Sequence, residues 1–140
     1  FGVIEHFDQP SHVLKAFESY LKDSGKIVTT CPNTGGAAMS LQKLFDKRVY
    51  YNHKRFELAD LVNYHTEAGF KVIYSSYTGF LSFNNLVFGN FSIFGRLAKI
   101  AMKLLNAPLV YFFYLLKRYL NLNLENWFLS SNMVVVAIKK

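Results

Sequence analysis

The sequence is poor in cysteine, in charge and, over its second half, in acid. Cys31 is the single cysteine among 140 residues, which excludes a disulfide scaffold and any cysteine-based zinc site. Charged residues are only 18% and hydrophobic residues 51%, the reverse of what an intrinsically disordered chain shows. There is no internal repeat and no low-complexity segment. The opening residues, FGVIEHF, contain no basic n-region, apolar h-region or cleavage site, so no signal peptide is expected. With Phe1 in place of a methionine, the chain reads as cut from something longer.

What is present is one domain's length of unusually aromatic chain, with fourteen Phe and nine Tyr. Such a chain has either a large core or a surface meant for something apolar. Charge is uneven. Residues 1–67 carry eight Lys and Arg against eight Asp and Glu, and residues 68–140 carry eight against Glu125 alone. All of the net +7 therefore sits in the second half. A basic excess suits nucleic acid, an anionic membrane or an acidic substrate. The cations are interspersed with aliphatic residues and no RNA-binding motif or recognition helix is present, so nucleic acid is not the expected partner.

The first half alternates helix and strand. A turn at Asp8–Ser11 opens a helix at Pro10 or Ser11, with Val13, Leu14, Phe17 and Leu21 on one face and Ser24-Gly25 as its stop. KIVTTC, residues 26–31, is a buried strand ended by Pro32. A loop through Asn33 and Gly35-Gly36 precedes a helix near Met39–Phe45, and VYYNHKRF is read as irregular. Glu57–Ala68 is a helix with Leu58, Leu61, Val62 and His65 on one face, closed by Gly69. Phe70–Tyr77 and Asn132–Ile138 are two further strands, the last rich in β-branched residues. Between them, Leu97, Ile100, Ala101, Leu104 and Leu105 mark one helix face and Arg96, Lys99 and Lys103 another. Only thirteen uncharged residues separate Lys103 from Lys117, against about twenty needed to span a bilayer. Pro108 follows, and the expectation is an interfacial helix, or a helical hairpin whose apolar faces pack on each other and on the sheet.

The ordered words VIEHF, SGKIVTTCPN and HKRFELADLVNYHTEAGFKV, with a β-rich C-terminus, resemble the C-terminal half of class I S-adenosylmethionine-dependent methyltransferases. The resemblance covers residues 1–77 and 131–140. It implies the α/β, Rossmann-like sheet of that family, with residues 26–31, 70–77 and 132–138 as its fifth, sixth and seventh strands. The seventh would run antiparallel between the other two. It also implies S-adenosylmethionine as cofactor and a cytoplasmic enzyme; Arg96, Lys99, Lys103, Lys117 and Arg118, with no acid among them, suit peripheral contact with an anionic membrane. The glycine-rich loop and the ribose-binding acid of the family precede the matched region and are not in this chain, so the chain alone is expected to be inactive.

By that resemblance, Phe1 and Gly2 fall where the family passes nearest the cofactor's methionine moiety. Glu5 and His6 fall where ubiquinone-biosynthesis O-methyltransferases carry Glu-x-x-Glu-His. Here the first carboxylate is replaced by Gly2, so no metal site is expected. His6 is a candidate general base, as is His53, since histidine titrates near neutrality. Asn33 and Arg55 are candidate substrate contacts. The bland alternatives are a packed histidine at 6, a solvated loop at His53–Arg55 and a turn-forming Asn33. Residues 84–128 are read as an aromatic, basic insertion that acts as a lid. It suits a small or lipid-linked methyl acceptor; the alternative is a non-catalytic module that binds a membrane surface or a partner.

Overall fold

The computed structural model describes residues 3–52, 55–80 and 93–140. Three strands form one sheet: β1 (Lys26–Pro32), β2 (Lys71–Thr78) and β3 (Asn132–Ile138), in the order β1-β3-β2. The last strand is antiparallel to both neighbours, so β1 and β2 run parallel to each other. The helices are α1 (Pro10–Glu18), α2 (Ala37–Phe45), α3 (Lys47–Asn52), α4 (Leu58–Glu67) and α5 (Ile93–Leu120), with a 3-10 turn at Ile4–His6.

The register explains the core. Thr29 and Cys31 alternate with solvent-side residues along β1, and Met133, Val135 and Ala137 do so along β3. All three of those β3 residues and Cys31 are fully buried. Leu14 of α1 and Leu61 of α4 close over them, joined by Phe56, Ala68 and Phe70. Full burial of a Leu or Phe side chain stabilises by roughly 1.5–3 kcal/mol. α4 begins with a reciprocal capping box between Glu57 and Asp60 and ends at Gly69, whose φ of +91° is open to glycine at little cost.

Three elements differ from the sequence expectation. α1 stops at Glu18 rather than near Ser24. The Ser19 hydroxyl donates to the Ala16 carbonyl at 2.8 Å, and the chain then turns through Ser24 at positive φ. Local hydroxyl-to-carbonyl bonds of this kind compete with helix propagation. VYYNHKRF is not irregular at its start, because α3 covers Lys47–Asn52; His53 and Lys54 lie outside the described residues. In place of the helical hairpin there is one helix of 28 residues with Pro108 inside it. A missing N–H need not end a helix whose other turns remain bonded. Its Lys99–Leu120 portion is long and apolar enough to cross a membrane by length and composition, which corrects the estimate made from the gap between lysines.

Candidate functional site

Because β1 and β2 are parallel, their carboxyl ends meet at one edge of the sheet, where Pro32, Asn132 and Thr78 stand in register. Open α/β sheets bind ligands beyond such ends. A cavity of about 280 Å³ lies there, lined by Asn33 and Gly35 after β1, Arg55, Phe56 and Glu57 before α4, Tyr77 on β2 and Trp127 ahead of β3. The two substrate-contact candidates of the sequence, Asn33 and Arg55, are thus brought to one wall.

Asn33 is 5% exposed and its side chain is fully used. Its Nδ2 donates to the Trp127 carbonyl at 2.6 Å and to the Ser130 carbonyl at 2.8 Å, while Oδ1 accepts from the Gly35 N–H at 3.2 Å. It clamps the loop before β3 onto the end of β1. Gly36 stands under the same clamp: a Cβ there would meet Asn33 Nδ2 at 2.8 Å and the Phe128 carbonyl at 3.0 Å. Gly36 admits the chain's own loop. Arg55 donates to the Tyr50 hydroxyl and lies over the Tyr50 ring, 5.3 Å from its centroid. The Glu57 carboxylate caps α4, and Thr34 Oγ1 accepts from the Phe56 N–H at 3.1 Å.

The 3-10 turn brings a different group to the end of β1. Glu5 is buried at 6% exposure and its carboxylate hydrogen-bonds the Cys31 thiol. Burial first, then the Glu5 charge, push that thiol up to about 12. Cys31 is therefore a small apolar side chain and no nucleophile. Glu5 Oε2 is buried without a hydrogen-bond partner among the described residues. His6 points the other way: its side chain is 65% exposed, with Nε2 3.8 Å from Glu5 Oε1. His6 does not line the cavity that holds Asn33 and Arg55. Phe1, Gly2 and His53 lie outside the described residues. Sequence reasoning missed Phe56, Tyr77 and Trp127 as cavity walls. They come from three separate segments, and only the topology assembles them.

A second cavity, about 300 Å³ and mostly apolar, runs along the free edge of β1 between α1 and the 3-10 turn. It is lined by Val3, Phe17, Tyr20 and Val28, among others. Among the described residues it lies on the unpaired side of β1, where a sheet would continue.

No protein-family model matches the chain, and no curated protein sequence matches it. The structure does have a solved counterpart, a SAM-dependent methyltransferase from Archaeoglobus fulgidus, with a TM-score of 0.53 at 17% sequence identity. The fold is methyltransferase-like. The similarity takes in 99% of this chain but 56% of the other, so the chain spans little more than half the length of that protein. Within this methyltransferase-like fold, the antiparallel strand between two parallel ones is the feature expected from the sequence words, and it is present.

Proposed function

We propose that the chain is the acceptor-side part of an S-adenosylmethionine-dependent methyltransferase, with β1, β3 and β2 as the fifth, seventh and sixth strands of the family sheet. The observation that supports this best is the likeness of nearly the whole chain to the Archaeoglobus enzyme, antiparallel last strand included. The acceptor in this reading is small or lipid-linked, and α5 with its flanks serves as the lid. His6, exposed beside the end of β1, is the side chain assigned to the acceptor's proton.

The residues present do not fit the whole cofactor. Asn33, Arg55 and Glu57, three of the polar side chains of the strand-end cavity, are each committed to partners within the chain. Gly36, the second of the paired glycines, accommodates a loop rather than a ligand. In this reading the cofactor's ribose and methionine are held by strands beyond these residues, against the free edge of β1. A second reading, a non-catalytic surface-binding module, draws support from the exposure of α5.

Calorimetry with S-adenosylmethionine tests the first reading. The 140-residue chain is expected to show no binding. A protein extended by roughly a hundred residues upstream, about what the further strands and helices require, is expected to bind it and to transfer methyl. If the upstream codons encode no glycine-rich loop and the extended protein binds nothing, the enzyme reading fails and the surface-binding reading stands.

A further inference from the structure

The helix α5 carries two rows at helical spacing, and the described residues cover only one. Met102, Asn106, Leu109, Phe113 and Leu116 recur every three or four residues and are buried or half-buried. Phe80 stacks on Phe113 from that side, with ring centroids 3.4 Å apart. The second row is Leu97, Ala101, Leu104, Pro108, Tyr111 and Leu115, also at three- and four-residue spacing. On a helix turning about 100° per residue it lies roughly 140° round from the first. It is open from Leu97 to Tyr111, with Leu97 59%, Leu104 71% and Tyr111 62% exposed, and is half-buried at Leu115.

Charge flanks the open row. Arg96, Lys99, Lys103, Lys117 and Arg118 fall within an arc of about 100° beside it, all exposed. No acidic residue lies between Ile93 and Leu120. Glu125, beyond the helix, pairs with Lys117 at 2.7 Å. A second copy of α5 on the open row would add cations to cations, with no acid on either helix to pair them. An anionic lipid surface meets both demands, taking the apolar row into the acyl boundary and the cations at the headgroups. Lys and Arg stems reach sideways to such a surface, and exposed Tyr114, Tyr119 and Trp127 are side chains that favour the interface.

Topology decides how the helix meets the bilayer. Thr78, ending β2, pairs with Asn132, beginning β3, so both ends of the insertion return to one edge of the sheet. A single crossing by α5 would leave its two ends on opposite sides of the membrane. Segment 79–92 or segment 121–131 would then have to cross back. The first is about fourteen residues with three asparagines and the second eleven with three asparagines and Glu125, against the roughly twenty apolar residues a crossing takes. We infer that α5 docks in the plane of an anionic membrane, its Leu97–Tyr111 row in the acyl boundary and its cations on the headgroups. This goes beyond the methyltransferase reading and does not rest on it.

Vesicle flotation with the 140-residue protein tests it without cofactor. Phosphatidylcholine vesicles with phosphatidylserine are expected to carry the protein, and vesicles of phosphatidylcholine alone to carry much less. Replacing Arg96, Lys99 and Lys103 together with Gln should weaken partitioning about fivefold per cation, on the order of a hundredfold for the three. Leu97→Ser with Leu104→Ser should abolish it, while circular dichroism confirms that both variants keep the sheet. For depth, Tyr111→Trp in a Trp127→Phe background should be quenched by lipids brominated near the headgroup end of the acyl chain. Quenching deepest at the bilayer centre, with resistance to alkaline extraction, would mean a spanning helix and overturn the in-plane arrangement. Equal binding to neutral vesicles, or no flotation with a concentration-dependent dimer that protects Leu104, would overturn the lipid partner altogether.

Discussion

Asn33 shows how little a residue type says until its partners are known. A turn-forming asparagine after a strand and a ligand-binding one look alike in sequence, and here the side chain ties two loops through three hydrogen bonds. Asn33→Ala removes all three and leaves the carbonyls of Trp127 and Ser130 without their donor. The expected cost is about 1–3 kcal/mol, seen in urea unfolding, together with faster proteolysis of the 126–131 loop. Unchanged stability would mean that the clamp carries no weight. His65 was legible as structural because it sits on the apolar face of its helix, and it is fully buried. Its Nδ1 donates to the Leu61 carbonyl at 2.7 Å, so Nε2 accepts from the Thr29 hydroxyl at 2.8 Å and the ring is neutral. Burial holds its pKa below the ordinary 6.5, outweighing the upward pull of the Leu61 bond. The unfolded chain therefore takes up a proton below pH 6.5 that the folded one resists. Stability from this group is full above that pH and is lost as pH falls toward the folded value. The urea midpoint should drop from pH 6.5 to 5; a flat profile would show that the ring is not held neutral. For Cys31 the direction is opposite. Its thiol is raised from 9 to about 12, so its contribution is present below pH 9 and lost as the pH climbs toward 12. In the folded protein at pH 8 a thiol reagent should leave it untouched.

At the scale of elements, the sequence is most informative where local chemistry and burial agree. β3 was readable end to end because NMVVVAI is β-branched and lies between two strands. α4 was readable because an apolar face, a capping box and a closing glycine coincide. Gly69→Ala should cost about 1–2 kcal/mol, since its φ of +91° lies in the region L side chains avoid. α5 was legible as an amphipathic helix but not in its length. Pro108 argued for a break, yet the rows on either side of it keep one register, so the helix runs through. Pro108 cannot donate to the Leu104 carbonyl, and an interior proline costs about 3 kcal/mol relative to alanine. Pro108→Ala is therefore expected to slow amide exchange over Leu109–Phe113. Exchange rates equal to the parent's would mean that the helix is set by its contacts and not by its own hydrogen bonds.

At the scale of the molecule, one face of the sheet explains what the sequence could not complete. The core face is covered by α1 and α4, but the opposite face sets Val28 beside Val136 and Tyr74 in one cross-strand row. Val28 is 60% and Tyr74 55% exposed, and the free edge of β1 adjoins them. The apolar run of β3 is the pattern of a strand buried on both faces, and the described residues bury it on one. The site was only partly legible for the same reason: its location follows from strand direction, which the sequence implied, but its walls come from segments that meet only in the fold. An uncovered apolar face beside an unpaired strand edge is a template for association. The 140-residue chain is expected to enhance the fluorescence of an apolar dye and to self-associate as its concentration rises in sedimentation. Val28→Lys with Tyr74→Lys places charge on that face without touching the core and should restore a monomer. The Arg96, Lys99 and Lys103 variant should not, because α5 is a separate surface. A sharp monomer for the parent at high concentration would show that this face needs no cover and would count against further strands of a methyltransferase-like sheet packing along β1.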